Sequence, residues 1–273
     1  MTPSDPTPSG RRPARIFVAG DSTAVTRPVS HLPMAGWAQA LPLFLTEDVE
    51  VVNCSRARAS SKSFRERGRL QWILDAMAPG DYLLFGFGQI DWKPDAGLHT
   101  EPFGSFLDQM RAYATGARAA GGHPVVLLPF ERRRVDRHGN VSRFLGDYPA
   151  AMRQLAREEH LPVVDLYGQS VAWWQELGPE GSTGAFTYLR PGEPLQEIVQ
   201  DADNVHLRPE GAIECARYVA RSLLLQQVVP ASWVTGLDRR GFSYDELGWL
   251  DDATYARLTK ERVSLPPVQE SGS

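Results

Sequence analysis

The sequence predicts an α/β domain built on a parallel sheet. Short apolar runs alternate with longer helical patterns along most of the chain, as expected of βαβ units. The length of 273 residues suits one large α/β domain or at most two small ones. No internal repeat or heptad array competes with that reading.

Taken in order, the expected strands are Ile16–Ala19, Val49–Asn53, Tyr82–Phe87, Val125–Pro129 and Val163–Leu166. Each is a short apolar run, the pattern of strands buried on both faces. A helix is expected over Trp37–Leu45 despite Pro42, and another over Phe64–Met77, with Leu70, Ile73, Leu74 and Met77 on one side. Phe106–Ala120 carries a stripe of Leu107, Met110, Ala114 and Ala117 and is stopped by Gly121-Gly122. Ala150–Glu159 and Glu210–Leu225 complete the set, the last burying Ala212, Cys215, Ala216, Val219 and Leu223. Gln169–Ala202 reads as a long irregular stretch, a length usually tied to function. The expected organisation is a disordered start over 1–15, one domain over 16–229 and an extension over 230–273. That extension packs on the domain through aromatic residues such as Trp233, Phe242 and Trp249, and ends in a frayed tail over Pro266–Ser273.

Composition narrows the function classes. Hydrophobic residues make up 42% and charged residues 23%, which argues against global disorder. Lys+Arg 29 against Asp+Glu 33 gives a net charge of −4, so a nucleic-acid or anionic-membrane specialist is not expected. Lys62, Lys93 and Lys260 are the only lysines; every other cation is arginine, which fits either coding bias or arginines that hold planar anions. Cys54 and Cys215 form no disulfide framework. Met1–Arg15 has no apolar run and no stretch is long enough to span a membrane, so a cytoplasmic setting is expected.

In an open parallel sheet, ligands bind beyond the carboxyl ends of the strands. The residues following strands one to four are Gly20-Asp21-Ser22-Thr23, Asn53-Cys54-Ser55-Arg56-Ala57-Arg58, Gly88-Gln89-Ile90-Asp91 and Glu131-Arg132-Arg133-Arg134. Asp203-Asn204-Val205-His206 precedes the last helix, in what reads as a loop. Ser22, Asp203 and His206 at one edge are the parts of a nucleophilic hydrolase. Ser22 is expected where a strand turns into a helix, and in isolation it reads more readily as a helix cap than as a nucleophile. Asp203 is three residues from His206, close enough to orient its imidazole. No histidine spacing suggests a metal site. Gly20-Asp21-Ser22-Thr23-Ala24 nearly fits a nucleophile elbow, but it follows the first strand rather than several. Gly86-Phe87-Gly88 lacks the third glycine of a dinucleotide fingerprint.

The ordered blocks are Ile16 through Ala24, Met34-Ala35-Gly36-Trp37, Pro79-Gly80-Asp81-Tyr82, Arg132 through Arg134, Gly146-Asp147-Tyr148-Pro149, Pro162 through Leu166, and Asp203-x-x-His206 with Gly211-Ala212. In this order they resemble the SGNH (GDSL-type) hydrolases, and more closely their rhamnogalacturonan acetylesterase-like branch. The resemblance runs from about Ile16 to Leu225. It implies a flavodoxin-like three-layer α/β/α sandwich with a five-stranded parallel sheet. It also implies Ser22 as nucleophile, His206 as base and then acid, Asp203 as its orienting partner, and no metal or organic cofactor. The implied substrate is a carbohydrate or other small-molecule ester.

Two positions depart from the family. Aligned on Asn53 and on Ser60 through Phe64, the glycine of the second block is Arg58, and the asparagine of the third block is Ile90. The resemblance implies that both positions help form the oxyanion hole. A backbone N–H survives at Arg58, whereas Ile90 offers no side-chain donor. Arg58 is expected to turn toward the developing charge and Arg56 toward solvent. Gln89 is expected to point elsewhere. Asp21, Gly88, Gln89, Asp91 and Arg132 are the other candidates on the substrate side. Trp173 and Trp174 fit a sugar-stacking wall and core anchors equally well. The leading expectation is a divergent esterase acting on an acylated sugar or glycosylated small molecule. The alternatives are acyl transfer or another non-hydrolytic step, and a ligand-binding pseudo-esterase.

Overall fold

The computed structural model describes residues 12–193 and 202–260. Five strands form one parallel sheet: β1 (Ala14–Ala19), β2 (Val49–Asn53), β3 (Tyr82–Phe85), β4 (His123–Leu128) and β5 (Val163–Asp165), in the order β2-β1-β3-β4-β5. The register brings Val18 beside Asn53, Ala19 beside Phe85, Phe85 beside Val126 and Leu128 beside Asp165. The carboxyl ends therefore share one edge, and the strand order reverses between β1 and β3, where such sheets bind ligands.

Alternation along the strands builds two cores. Ile16, Val18, Leu84, Val125, Leu127 and Val164 face one side, against α1 (Trp37–Ala40) and α7 (Pro209–Leu225). Phe17, Ala19, Leu83, Phe85, Val126 and Leu128 face the other. They meet α2 (Ser61–Glu66), α3 (Arg69–Ala76), α4 (Leu107–Ala119) and α5 (Tyr148–Glu158). The result is the three-layer α/β/α sandwich that the resemblance implied.

Several boundaries differ from the sequence expectation for local reasons. The helix expected over Trp37–Leu45 tightens after Ala40 into a 3-10 turn, Leu41–Phe44, because Pro42 has no N–H to give an α-helix. The single helix expected over Phe64–Met77 is two, divided at Gly68, whose φ of 73° no continuous helix accepts. The third strand stops at Phe85. A Cβ on Gly86 would lie 2.3 Å from the Leu127 carbonyl oxygen, so the chain turns where only glycine fits.

The stretch 169–202 is not irregular throughout. Most of its first part is helix α6 (Leu166–Gly181), capped by Asp165 accepting the Gly168 N–H at 2.8 Å. Strand β6 (Phe186–Tyr188) follows and pairs antiparallel with β7 (Ala202–Leu207). Gly168, Gly178 and Pro179 hid the helix in the sequence. Trp174 is buried in the core, donating from Nε1 to the Glu131 carbonyl at 2.9 Å, and Trp173 packs on it and on Tyr218. Core anchoring is thus what both rings do, although they also line a pocket of about 310 Å³ with Glu176, Glu210 and Glu214.

The start expected to be disordered lies outside the described residues for 1–11, but Ala14 and Arg15 already belong to β1. Arg12 and Arg15 both pair with Asp81 at 3.0 Å. Burial would raise the Asp81 carboxyl, but hydrogen bonds from Arg12, Ala78 and Arg15 bring it below its ordinary range. After α7, Trp233 meets Tyr82, Phe242 meets Phe44, and Leu247 is buried. Helix α8 (Asp252–Lys260) follows, and the tail expected at Pro266–Ser273 lies outside the described residues. Cys54 and Cys215 are free thiols. No helix of the described residues is long and apolar enough to cross a membrane.

Candidate active site

Ser22 lies in the turn after β1, not at a helix N-terminus as the sequence suggested, since the next α-helix begins only at Trp37. Asp21 shapes this turn. Its Oδ1 accepts the Thr23 N–H at 3.0 Å and the Thr23 hydroxyl at 2.8 Å. Its buried Oδ2 has no protein partner. Burial raises the Asp21 carboxyl against the opposing pull of Thr23, Arg132 and His206.

Neighbouring motifs hold the turn in place. Trp37 donates its backbone N–H to the Thr23 carbonyl at 3.2 Å, and Ala35 to the Leu207 carbonyl at 2.8 Å. Gly36 lies between them, where a Cβ would meet the Val25 oxygen at 2.2 Å. From β2, Asn53 Nδ2 donates to the Ala24 carbonyl at 2.6 Å.

Asp203 and His206 sit on β7 rather than in a loop. His206 Nε2 is 3.0 Å from Ser22 Oγ, and His206 Nδ1 is 2.7 Å from Asp203 Oδ2. Asp203 Oδ1 also accepts the N–H groups of Val205 at 2.7 Å and His206 at 3.0 Å. Burial alone would raise the Asp203 carboxyl, but the bonds and charge of His206 and these N–H groups bring it below its ordinary range. Arg133 ties β7 to the end of β4. Its N–H reaches the Asn204 carbonyl at 2.9 Å, and its Nη1 reaches Asn204 Oδ1 at 3.0 Å and the Tyr188 hydroxyl at 2.8 Å.

The positions that depart from the family differ in behaviour. Arg58 adopts φ 63°, the left-handed conformation that favours glycine, which supports its alignment with the family glycine. Its side chain is exposed, contrary to the inward turn expected, because it stands at the tip of that turn. Arg56, expected at solvent, is half-buried and donates to the Leu258 carbonyl at 2.7 Å. Ile90 is buried and brings no polar atom.

Gly88, Gln89 and Asp91 are occupied with building the loop. Gly88 donates its N–H to Asp91 Oδ2 at 3.1 Å. Asp91 also accepts the Ser61 N–H at 3.0 Å and the Thr100 hydroxyl at 3.0 Å. Burial pushes the Asp91 carboxyl up to about 6 against these bonds. Gln89 turns away to the Phe130 carbonyl, at 2.9 Å, and to Arg132.

Arg132 is one cation that approaches this region. Its Nε donates to Gln89 Oε1 at 2.7 Å and its Nη2 to the Gln89 carbonyl at 2.8 Å. Its guanidinium stacks 3.8 Å from the Phe144 ring centroid. Burial lowers its pKa, against the pull of Asp21, Glu131 and Asp203. No sequence signal pointed to Arg27, which is buried and donates from Nη2 to the Ser22 carbonyl at 2.7 Å. Among the described residues, no three His, Cys, Asp or Glu side chains are grouped to hold a metal ion.

The GDSL-like lipase/acylhydrolase family matches residues 18–212. The chain belongs to that family. It is 38% identical over 213 residues to the rhamnogalacturonan acetylesterase RhgT of Bacillus subtilis (strain 168), covering 78% of this chain and 90% of RhgT. The probable rhamnogalacturonan acetylesterase YesY of the same strain is 36% identical over 214 residues, covering 76% of this chain and 91% of YesY. Among solved structures, the YxiM protein of Bacillus subtilis superposes with a TM-score of 0.68 at 27% identity. That match covers 80% of this chain and 58% of YxiM, so the chain spans little more than half of it. An acetylxylan esterase from Geobacillus stearothermophilus, Axe2, shares the fold with a TM-score of 0.55 at 14% identity, covering 80% of this chain and 96% of Axe2.

Proposed function

We propose that this member of the GDSL-like family is a serine esterase that removes acetyl groups from carbohydrate hydroxyls. The observation that carries the reading is the hydrogen-bonded chain from Ser22 Oγ through His206 to Asp203, at 3.0 and 2.7 Å, on the ligand-binding edge of the sheet. The names of RhgT and YesY support an acetylated pectic polysaccharide as the substrate class.

In this reading the Asp203 carboxylate accepts a hydrogen bond from the Nδ1–H of His206, leaving Nε2 as the acceptor for the Ser22 proton. Ser22 Oγ attacks the acetyl carbonyl carbon as its proton passes to Nε2. The tetrahedral oxyanion collapses, the C–O bond to the sugar breaks, and His206 returns the proton to the departing sugar oxygen. Water then attacks the acetyl-enzyme, giving its proton to His206, which hands it back to Ser22 as acetate leaves.

The oxyanion needs donors. The backbone N–H groups of Ser22 and Arg58 take part in no hydrogen bond among the described residues and serve here. Ile90 adds none, and we assign the missing donor to the Arg132 guanidinium, steered by both oxygens of Gln89. The intact Ser–His–Asp geometry disfavours a pseudo-esterase. Acyl transfer to an acceptor other than water is the second reading, favoured only by the exchange at position 90.

The test is hydrolysis of a chromogenic acetate ester and of acetylated rhamnogalacturonan, together with fluorophosphonate labelling of the protein. Ser22→Ala is expected to abolish labelling and to lower kcat by at least about 10³-fold. Unchanged hydrolysis in Ser22→Ala refutes the reading. A rate that depends on an added alcohol acceptor moves it to acyl transfer.

A further inference from the structure

Arg27 is a buried charge that the esterase cycle does not use. Its side chain is only 5% exposed, yet both of its hydrogen-bond partners are neutral. Nη2 donates to the Ser22 carbonyl at 2.7 Å, Nη1 lies 3.5 Å from the Tyr255 hydroxyl, and Nε has no partner. A guanidinium taken out of water without a carboxylate in contact is costly. This one stands directly behind the turn that presents Ser22 Oγ.

The C-terminal segment encloses it. The Arg27 carbonyl accepts the Leu250 N–H at 3.1 Å, and Val29 donates back to the Leu250 carbonyl at 3.3 Å. The Ser30 hydroxyl bonds Asp252, and the Tyr255 ring meets His31 edge-on at 4.7 Å. One turn further along α8, the Leu258 carbonyl accepts Arg56 Nη1 at 2.7 Å. Helix α8 thus grips both the loop after the nucleophile and the loop that carries Arg58. The segment lies beyond residues 18–212, where the family match ends.

We propose that Arg27 is a positioning residue for Ser22, and that the segment from Leu250 to Leu258 completes the active site by clamping Arg27 in place and keeping water from it. The inference rests on the esterase reading. By holding the Ser22 carbonyl, Arg27 fixes the backbone from which Oγ projects. Its charge also favours the negative tetrahedral intermediate. The titratable and charged groups around Arg27 are Asp21 and Asp203 at the site, His31 on the following turn, and Tyr255 and Asp252 on α8.

The test compares Arg27→Met, Arg27→Lys and Tyr255→Ala in the full-length protein, reading kcat, KM and melting temperature with a chromogenic acetate ester. Arg27→Met is expected to lower kcat by about 10²-fold with KM kept within about threefold, since small displacements of a reacting group cost this much. Arg27→Lys retains the charge and a donor for the Ser22 carbonyl and should restore at least about tenfold of the kcat lost in Arg27→Met. Tyr255→Ala should lower kcat by roughly fivefold or more with KM kept.

A lower melting temperature with kcat unchanged in Arg27→Met would show a merely structural role and overturn the proposal. If Arg27→Met does not fold, Tyr255→Ala decides: the expected loss supports the proposal and a wild-type kcat overturns it. A wild-type protein that neither hydrolyses the ester nor takes the fluorophosphonate overturns the esterase reading and this inference together. An active wild type beside an equally active Arg27→Met overturns this inference alone.

Discussion

Exchanging Ile90 and Arg132, singly and together, tests how the oxyanion is held. Ile90 is 8% exposed, so Ile90→Asn forfeits about 1.5–3 kcal/mol of side-chain burial and should lower the urea midpoint. An oxyanion donor contributes about 2.7–4 kcal/mol, or roughly 10²–10³ in kcat. If Arg132 already fills that role, the amide introduced at position 90 has little left to add, and Ile90→Asn should change kcat by less than about tenfold. Arg132→Met removes the donor and should lower kcat by about 10²–10³-fold. In the double variant the introduced amide becomes the remaining side-chain donor and should restore at least about tenfold of the Arg132→Met loss, a non-additivity expected of groups that share one task. The assay is kcat and KM on the chromogenic acetate ester, with a urea melt on each variant to show that it folds. Arg132→Met with wild-type kcat, or effects that simply add, would refute the reasoning. A large gain in Ile90→Asn alone would mean that the site lacks a donor.

Two further perturbations test the frame around the site. Asp91, buried and pushed up to about 6, binds its proton more tightly folded than unfolded, where its pKa is about 3.9. Its contribution is therefore full below about pH 4 and is lost as pH rises through about 6, a change of about 3 kcal/mol. Urea midpoints taken across that window should show Asp91→Asn flattening the decline, and an unaltered slope would contradict it. Gly86→Ala drives a methyl to 2.3 Å from the Leu127 oxygen and should cost about 1–3 kcal/mol by urea melt, so an unchanged midpoint would show that β3 and β4 can part there.

The fold and the site differed in how much of them was legible. The central strands β1, β3 and β4 stood out because they are buried on both faces and read as apolar runs, and the half-exposed edge strands β2 and β5 kept enough valine to be seen. Ser22, Asp203 and His206 could be named because their blocks occur in a fixed order along the chain. Helix α6 was hidden by Gly168, Gly178 and Pro179, residues that usually end helices but here lie near its start and at the kink of its last turn. Strand β7 was hidden because its sequence, ADNVHL, is polar and is held by pairing with β6 rather than by an apolar pattern.

The sequence by itself determined the order of the five sheet strands along the chain and the chemical parts list, since periodicity and motif spacing are properties of neighbouring residues. Only the tertiary structure decided what each arginine does. Arg58 faces solvent, Arg56 holds α8, Arg132 leans on Gln89, and Arg27 is enclosed behind Ser22 by a segment more than two hundred residues away in sequence. Whether a cation is dry, and which group it touches, depends on long-range packing that no local pattern records.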